Sequence, residues 1–214
     1  MILNVKKPKG MTSHDVVDKV RQITKEKRVG HAGTLDPFAT GVLIIATTRE
    51  DTKKLGDISK NTKKEYVATL ELGKTSTTGD PEGEISLITI NYPNLKRVRE
   101  TLKLFIGEIK QTPPSYSAIK VTGVPAYKLA RRGQRVELSS RNVTIDTLDL
   151  LLYNPPLLKI RVVCGAGTYI RSLAKDIGEK LNTGAYLTEL ERTRVGDFKI
   201  EDSIPLAKLS VAKL

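Results

Sequence analysis

Apolar residues recur along this chain with two different periods, and both kinds of secondary structure are therefore predicted. Spacing of three and four residues indicates amphipathic helices, whereas alternation or an unbroken apolar run indicates strands. This pattern predicts helices over 12–24, 51–58, 94–105, 125–133 and 165–181. It predicts strands over 1–5, 42–46, 66–72, 116–121, 143–153, 157–164 and 196–200.

The order of these elements favours an α+β fold, because helices and strands are mixed without the strict β-α-β rhythm of a doubly wound sheet. The chain has 214 residues, of which 39% are hydrophobic, and that is enough to bury a core. It contains no internal repeat, low-complexity segment or long linker. We therefore expect a single domain spanning residues 1–214.

A glycine-rich stretch, GHAGTLDPFATG over residues 30–41, holds the first candidate for chemistry. Three glycines and a proline in twelve residues predict a shaped loop without regular structure, and the apolar run 42–46 predicts a buried strand behind it. Asp36 is the only acidic residue of the loop, and Pro37 restricts its backbone, so the carboxylate is aimed. Asp-Pro is also a common turn dipeptide, so a purely structural role for Asp36 stays open.

Charge and cysteine content narrow the class of protein. There are 36 basic and 24 acidic residues, and the net charge of +12 favours a nucleic-acid partner, although a basic protein without one stays open. The single cysteine, Cys164, excludes an internal disulfide and fits a reducing cytoplasm. The sequence has no secretory pattern and no apolar run of membrane-spanning length. Two histidines and one cysteine are too few soft ligands for a zinc site, so we expect no metal.

Eight segments, in order along the chain, carry a resemblance to a known family. They are KKPKGMTS (6–13), GHAGTLDPFATGVL (30–43), KEY (64–66), TGDPEG (78–83), QTPPSYSAIK (111–120), YKLARRG (127–133), GTYIR (167–171) and LERT (190–193). Each is similar to a motif of the TruB family of tRNA pseudouridine synthases, and together they cover nearly the whole chain. The resemblance implies a pseudouridine synthase fold, with a mixed, mostly antiparallel sheet flanked by helices and a central RNA-binding cleft.

The activity implied by this resemblance is the isomerisation of uridine 55 to pseudouridine in the T-loop of tRNA. The glycosidic N–C bond is broken, the uracil turns, and a C–C bond forms. No redox change and no nucleotide hydrolysis occur, so no cofactor and no metal are expected. The family also suggests a monomer whose partner is the T-arm of tRNA, with no membrane association.

The resemblance implies roles for particular residues. Asp36 is the essential carboxylate, acting as a nucleophile or as a base, and Tyr66 stacks on the uracil and takes part in the late proton transfer. Arg171 pairs with Asp36 and aims it, and His31 enters the T-loop and holds the flipped-out state. The other candidate substrate-binding residues are three pocket residues, one substrate contact and six phosphate contacts: Asp80, Tyr169, Leu190; Lys120; Lys6, Lys9, Lys128, Arg131, Arg132 and Arg135.

The residues themselves bear on two of these roles. Tyr66 begins an alternating run and shares one face with Ala68, Leu70 and Leu72, so it points inward and its hydroxyl needs a partner. Arg171 falls in the first turn of a predicted helix, where the helix dipole disfavours a cation. A nearby anion is therefore plausible, and a solvated arginine is the simpler alternative.

Two further interpretations stay open. Guide-RNA-dependent relatives share the aspartate motif, but the expected RNA-gripping insertion, residues 111–142, looks like that of the stand-alone bacterial type. An RNA-binding or tRNA-folding factor with secondary catalysis fits the charge equally well, although Asp36, Tyr66 and Arg171 together favour an enzyme. Family members usually continue into a C-terminal RNA-binding domain, often of the PUA type. We expect none within residues 1–214, so the chain is either naturally short or part of a longer one.

Overall fold

The computed structural model describes residues 1–134 and 136–210, so Arg135, one of the predicted phosphate contacts, lies outside the described residues. The helices are α1 Ser13–Thr24, α2 Arg49–Asn61, α3 Leu95–Lys103, α4 Ala126–Ala130 and α5 Ile170–Leu181, with a 3-10 turn at Leu206–Lys208. The strands are β1 Ile2–Lys7, β2 Gly30–Ala32, β3 Thr40–Ala46, β4 Lys64–Leu72, β5 Lys74–Ser76, β6 Ile85–Leu87, β7 Gly107–Gln111, β8 Lys120–Val121, β9 Val124–Pro125, β10 Arg141–Asn154, β11 Leu157–Cys164, β12 Ala185–Val195, β13 Phe198–Lys199 and β14 Ile204–Pro205.

The chain forms two compact units. Three of the four boundaries along the chain fall inside strands β4, β11 and β12, and the fourth falls between residues 167 and 168, before α5. Unit 1 comprises residues 1–67, 161–167 and the chain from 189 onward, and unit 2 comprises 68–160 and 168–188. The expectation of one domain over residues 1–214 stays a prediction.

Unit 1 is built on strand β3, which lies between β1 and β12 and also pairs with β2. The β1 and β2 pairings are antiparallel, whereas the β12 pairing is parallel and places Gly41 beside Arg192. Alternate side chains of β3 enter two different cores. Leu43 and Ile45 pack with the apolar face of α1, and Val42 and Ile44 pack with Leu55 of α2. This double burial explains why the run 42–46 contains no polar residue.

The start of α1 is fixed by a reciprocal cap. The Thr12 hydroxyl accepts from the Asp15 amide at 3.0 Å, and the Asp15 carboxylate accepts from the Thr12 amide at 2.8 Å. Such a capping box satisfies two of the amide groups that a helix start leaves unpaired. The cap therefore fixes where the chain passes from β1 into α1.

Unit 2 contains the antiparallel pair β7 and β10, in which Gln111 lies opposite Arg141, and the two short hairpins β5–β6 and β8–β9. Helix α5 buries the predicted apolar stripe of Ile170, Leu173, Ala174, Ile177 and Leu181. Helix α3 begins at Asn94, whose side chain accepts from the Arg97 amide at 2.9 Å, and it packs on α5 and β10. The helices predicted over 94–105 and 165–181 are thus present, as α3 and α5.

The fold class is also confirmed: the protein has an α+β fold whose main sheet is mixed and mostly antiparallel, with β1–β14 and β3–β12 as parallel pairs. Among the described residues, no helix has the length and apolar character needed to cross a bilayer.

Four local predictions were wrong. Residues 30–41 are not all loop, because 30–32 form β2 on the edge of β3. Polar residues 73–83 include strand β5, which pairs with a strand at 85–87 that alternation did not indicate. The strand expected over 116–121 is limited to β8, because the carbonyls of Ser117 and Ile119 accept from amides at the start of α4. Helix α4 ends at Ala130, and the following residues form turns.

Candidate active site

The loop that carries Asp36 is tied down on both sides of that residue. The buried Ser13 hydroxyl accepts from the Leu35 amide at 2.8 Å and donates to the Leu35 carbonyl at 3.1 Å. The Gly10 amide donates to the Pro37 carbonyl at 2.8 Å. Because both neighbours of the half-buried Asp36 are held by backbone contacts, its carboxylate is presented from a fixed position.

Lys7 adds a buried cation to this support. Its ammonium group donates to the carbonyls of Pro8 at 2.9 Å, Met11 at 2.5 Å and Pro37 at 3.2 Å, and its side chain is fully buried. The sequence prediction chose the neighbouring Lys6 and Lys9 and passed over this residue. Alternation along β1 could have identified it, because Lys7 shares the inward face with Leu3 and Val5.

Arg192 joins the two ends of the same loop. Its Nε donates to the Val42 carbonyl at 2.7 Å, and Nη2 donates to the Gly33 carbonyl at 2.8 Å. The side chain is only 1% exposed. From the LERT motif, the sequence prediction selected Leu190 and passed over Arg192. The sequence gives no sign of the role of Arg192, because the carbonyls that this arginine binds are 150 and 159 residues away.

Tyr66 lies on β4 and is buried, as its alternating run predicted. The Arg192 guanidinium group acts on the Tyr66 hydroxyl. Burial raises the pKa of Tyr66, and the Arg192 charge opposes that rise. The phenol is therefore neutral at pH 7, and the negative charge of Asp36 further disfavours its ionisation.

His31 is half-buried on β2, opposite Ile45, and not on a solvated loop. Burial lowers the pKa of His31, and the positive charges of Arg192 and His14 lower it further, so the ring is neutral at pH 7. No described residue hydrogen-bonds to its buried Nδ1. Its expected insertion into the T-loop stays a prediction.

Three other residues of unit 1 were singled out by the sequence. Leu190 is buried on β12, as expected of a pocket residue, and its contact with substrate stays a prediction. Lys6 is partly exposed and pairs with Glu191 at 3.3 Å, and Lys9 is exposed. Lys64, the first residue of the KEY motif, is buried and donates to the Ser59 carbonyl at 2.5 Å. Lys64 therefore anchors the end of α2.

In unit 2, Arg171 is held inside the protein, so the solvated alternative was wrong. Its side chain is 5% exposed, Nη1 donates to the Thr78 carbonyl at 2.9 Å, and Nη2 donates to the Tyr116 carbonyl at 2.7 Å. Nη1 also lies 3.4 Å from Oδ2 of the buried Asp80. The nearby anion expected from the helix dipole is thus confirmed as Asp80. The expected pairing of Arg171 with Asp36 stays a prediction.

Asp80 is itself fixed by its own loop. Its Oδ1 accepts from the Thr78 hydroxyl at 2.5 Å and from the Glu82 amide at 3.0 Å. A buried ion pair whose other polar atoms are hydrogen-bonded is the arrangement in which two charges tolerate burial. The polar segment 78–83 therefore serves to hold the counter-charge of Arg171.

Tyr169 stands directly before α5 and is positioned by residues that sequence reasoning missed. Its amide donates to Oε1 of the buried Gln111 at 2.7 Å, and the Arg141 guanidinium lies 5.0 Å from the centre of its ring. The Ser172 hydroxyl donates to the Thr112 carbonyl at 2.7 Å. Gln111 of the QTPP segment thus accepts from the amide of the residue before α5, whose own side chain forms no capping hydrogen bond.

The predicted RNA contacts of the insertion are exposed, as a phosphate contact requires. Lys120, Lys128, Arg131 and Arg132 all face solvent, and the Arg131 guanidinium lies 5.7 Å from the centre of the Tyr127 ring. Their contact with RNA stays a prediction. Among the described residues, 1–134 and 136–210, no group of three or more acidic, histidine or cysteine side chains is placed to hold a metal ion.

Two solved structures share the fold of this chain. The chain matches the crystal structure of a Cbf5-Nop10-Gar1 complex with a TM-score of 0.76 and 32% identity, over 96% of this chain and 52% of that one. It matches the structure of an H/ACA RNP bound to a substrate RNA containing 2'-deoxyuridine with a TM-score of 0.72 and 30% identity, over 96% and 51%. The chain thus spans about half the length of these neighbours.

Sequence comparison identifies the family. The model of the TruB family pseudouridylate synthase N-terminal domain matches residues 21–170, and that of the tRNA pseudouridylate synthase B C-terminal domain matches 171–214. The tRNA pseudouridine synthase B of Bacteroides fragilis (strain ATCC 25285) is 50% identical over 98% of this chain and 92% of the relative. That of Dehalococcoides mccartyi (strain CBDB1) is 47% identical over 99% and 70%. The chain belongs to the TruB family of pseudouridylate synthases.

Proposed function

We propose that this protein is a stand-alone tRNA pseudouridine synthase that isomerises uridine 55 in the T-arm. The observation that carries the proposal is the loop of Asp36, whose two neighbouring residues are hydrogen-bonded to buried groups. An enzyme gains rate by holding a reacting group in place before the substrate arrives. The relatives at 47–50% identity that are named tRNA pseudouridine synthase B support tRNA as the substrate.

The chemistry assigned to the site needs an accessible uracil, so the nucleotide has to leave the stack at a cost of a few kcal/mol. We assign Asp36 the essential carboxylate role, as nucleophile or as base, while the glycosidic N–C bond breaks and a C–C bond forms. The buried ring and neutral hydroxyl of Tyr66 suit stacking on the uracil and the late proton transfer. The neutral ring of His31 suits occupation of the vacated stacking space.

Recognition of tRNA is assigned to the exposed cations of the insertion, supported by the net charge of +12. Asp80, Tyr169, Arg171 and Leu190 are each assigned to substrate binding. We further propose that the protein acts as a monomer in the cytoplasm, where its tRNA substrate is found.

Two alternatives are less well supported. The H/ACA neighbours are 30–32% identical to this chain, against 47–50% for the tRNA pseudouridine synthase B relatives, so a guide-dependent enzyme is not favoured. A binding factor with secondary catalysis has no use for a carboxylate held as firmly as Asp36.

The test is a single-turnover assay on an unmodified tRNA transcript, with pseudouridine mapped by base-specific chemical modification and primer extension. We expect the wild type to modify uridine 55 without any added RNA, and Asp36→Asn to bind tRNA with unchanged affinity but form no product. The matched control is Asp57→Asn, the same substitution at an exposed residue of α2, which should retain the wild-type rate.

Binding without product in the wild type would refute the enzyme and favour a binding factor. Product formed only after a guide RNA is added would favour the guide-dependent alternative. Turnover by Asp36→Asn would remove Asp36 from the reaction.

A further inference from the structure

Arg192 is a deeply buried cation close to the Asp36 loop, and its charge is not neutralised by a carboxylate of the described residues. Its side chain is 1% exposed, and it donates hydrogen bonds to the Val42 and Gly33 carbonyls. Its charge also acts on the Tyr66 hydroxyl. Within residues 1–134 and 136–210, no carboxylate forms an ion pair with Arg192. A buried charge without a counter-ion is costly.

Its contacts bracket the candidate catalytic loop. Gly33 lies before Asp36 and Val42 lies after it, so one guanidinium group fixes the distance between the two ends of the loop. The main chain of Arg192 also holds the end of the loop. It pairs with Gly41 so closely that a side chain at position 41 would not fit. A fixed, planar set of donors is a property of arginine that lysine lacks.

The charge of Arg192 acts on several functional groups of unit 1. It lowers the pKa of Tyr66 and of His31, and it also lowers that of Lys64. Asp36 acts on Tyr66 with the opposite sign. Tyr66 thus lies in the field of two opposed charges, one on the loop and one on the arginine that supports it.

We propose that Arg192 is a positioning residue of the reaction, which fixes the Asp36 loop and the Tyr66 hydroxyl relative to each other and supplies the positive field in which both act. This inference rests on the proposed function. It assigns Arg192 no contact with the substrate. The chemistry remains with Asp36 and Tyr66.

The test compares Arg192→Met, which keeps a long side chain and removes the charge, with Arg192→Lys, which keeps the charge and removes the planar donors. Arg194→Met is the matched control, since Arg194 lies two residues further along β12, is partly exposed and contacts Glu65 at 3.8 Å. We expect the single-turnover rate of Arg192→Met to fall by about 100-fold, with tRNA affinity within twofold of wild type. Arg192→Lys should lie between them, and Arg194→Met should match the wild type.

A second readout reports the charge itself. The protein has two histidines, His31 and His14, so imidazole titration by NMR gives two resolved curves, assigned with His14→Gln. Arg192 and His14 are the cations that act on His31. We expect the pKa of His31 to rise in Arg192→Met and to stay low in Arg192→Lys and in Arg194→Met.

The inference is overturned if folded Arg192→Met retains the wild-type rate, because a residue that only fills space is replaceable by an apolar one. The inference is also overturned if the single-turnover rate of Arg192→Met falls while the pKa of His31 measured by NMR stays at its wild-type value. If Arg192→Met fails to fold, the single-turnover rate of Arg192→Lys tests the inference instead. A wild-type rate in Arg192→Lys would contradict the role of the planar donors. Absence of product in the wild type would refute the proposed function instead, and the His31 titration would still decide whether Arg192 supplies the field.

Discussion

Gly41→Ala should destabilise the protein strongly, because Gly41 meets two requirements at once. Its backbone has φ +104°, a region that side chains other than glycine rarely adopt. A Cβ atom at this position would also lie 2.2 Å from the carbonyl oxygen, 2.7 Å from the amide nitrogen and 2.9 Å from the carbonyl carbon of Arg192. All three are main-chain atoms, so no side-chain rotation relieves the overlap, and β3 and β12 have to separate.

The two contributions can be estimated separately. An unfavourable backbone region costs about 1–3 kcal/mol, and forcing extra volume into a packed contact typically costs about 1–3 kcal/mol more. The expected loss in unfolding free energy is therefore about 2–6 kcal/mol, or a fall in melting temperature on the order of 10 °C for a chain of this length. Pseudouridine formation should fall as well, since the same strand pairing ends the Asp36 loop.

Urea and thermal unfolding followed by circular dichroism measure the effect. Gly10→Ala is the matched control, because Gly10 lies in the same unit at φ +84° and has nothing within 4 Å of an added Cβ. The control should show only the backbone cost, and the difference between the two variants isolates the close approach to Arg192. Equal stability of Gly41→Ala and Gly10→Ala would refute the reasoning.

Three other predictions follow from the same structure. Gly178→Ala in α5 should lower the melting temperature although alanine favours helices, because the new Cβ atom would lie 2.3 Å from the Ala185 amide nitrogen. The control is Gly56→Ala in α2, where nothing lies within 4 Å of an added Cβ, and it should raise the free energy of unfolding by up to about 1 kcal/mol. A more stable Gly178→Ala than Gly56→Ala would contradict this prediction. Burial raises the pKa of Asp176 to about 6, so its ionisation costs the folded state stability as pH rises through 6. In urea unfolding at pH 8, Asp176→Asn should therefore have a free energy of unfolding about 1 kcal/mol above that of the wild type, after allowance for solvent screening. Below about pH 4 the two proteins should be equally stable, and an equal gain at both pH values would contradict burial of the charge as the cause. Replacing Arg131 and Arg132 with alanine should weaken tRNA binding and reduce the slope of log Kd against log salt concentration by nearly 2, and an unchanged slope would remove both from the RNA contact.

Much of the fold was accessible from local pattern alone. The sequence predicted α1, α5 and β4, because apolar residues repeat with the helical period in the two helices and alternate in the strand. The three-residue strands β2 and β6, each stabilised by a partner strand, were missed, and so were the five-residue β7 and the eleven-residue β12. Short strands carry too few residues for a period to be visible.

The candidate site residues were also chosen from the sequence. Asp36, Tyr66, His31 and Arg171 were singled out by motif, and the first three lie in one unit with the packing described above. Their roles in the reaction stay predictions. The family itself is confirmed by matches that cover most of the chain.

The tertiary structure alone decided how these residues are supported. Arg192 and Gln111 bind main-chain groups more than fifty residues away, and Lys7 binds the Pro37 carbonyl thirty residues away besides two nearby carbonyls. Every residue has a main-chain carbonyl, and every residue except proline has an amide N–H, so the sequence does not show which of these groups a buried side chain will bind. The same holds for Arg171: in sequence a solvated side chain was the simpler alternative, and the structure instead places the Thr78 and Tyr116 carbonyls around it. Sequence period therefore determined which side chains face inward, whereas the folded chain determined what each buried charge binds, since only folding brings the distant carbonyl groups to it.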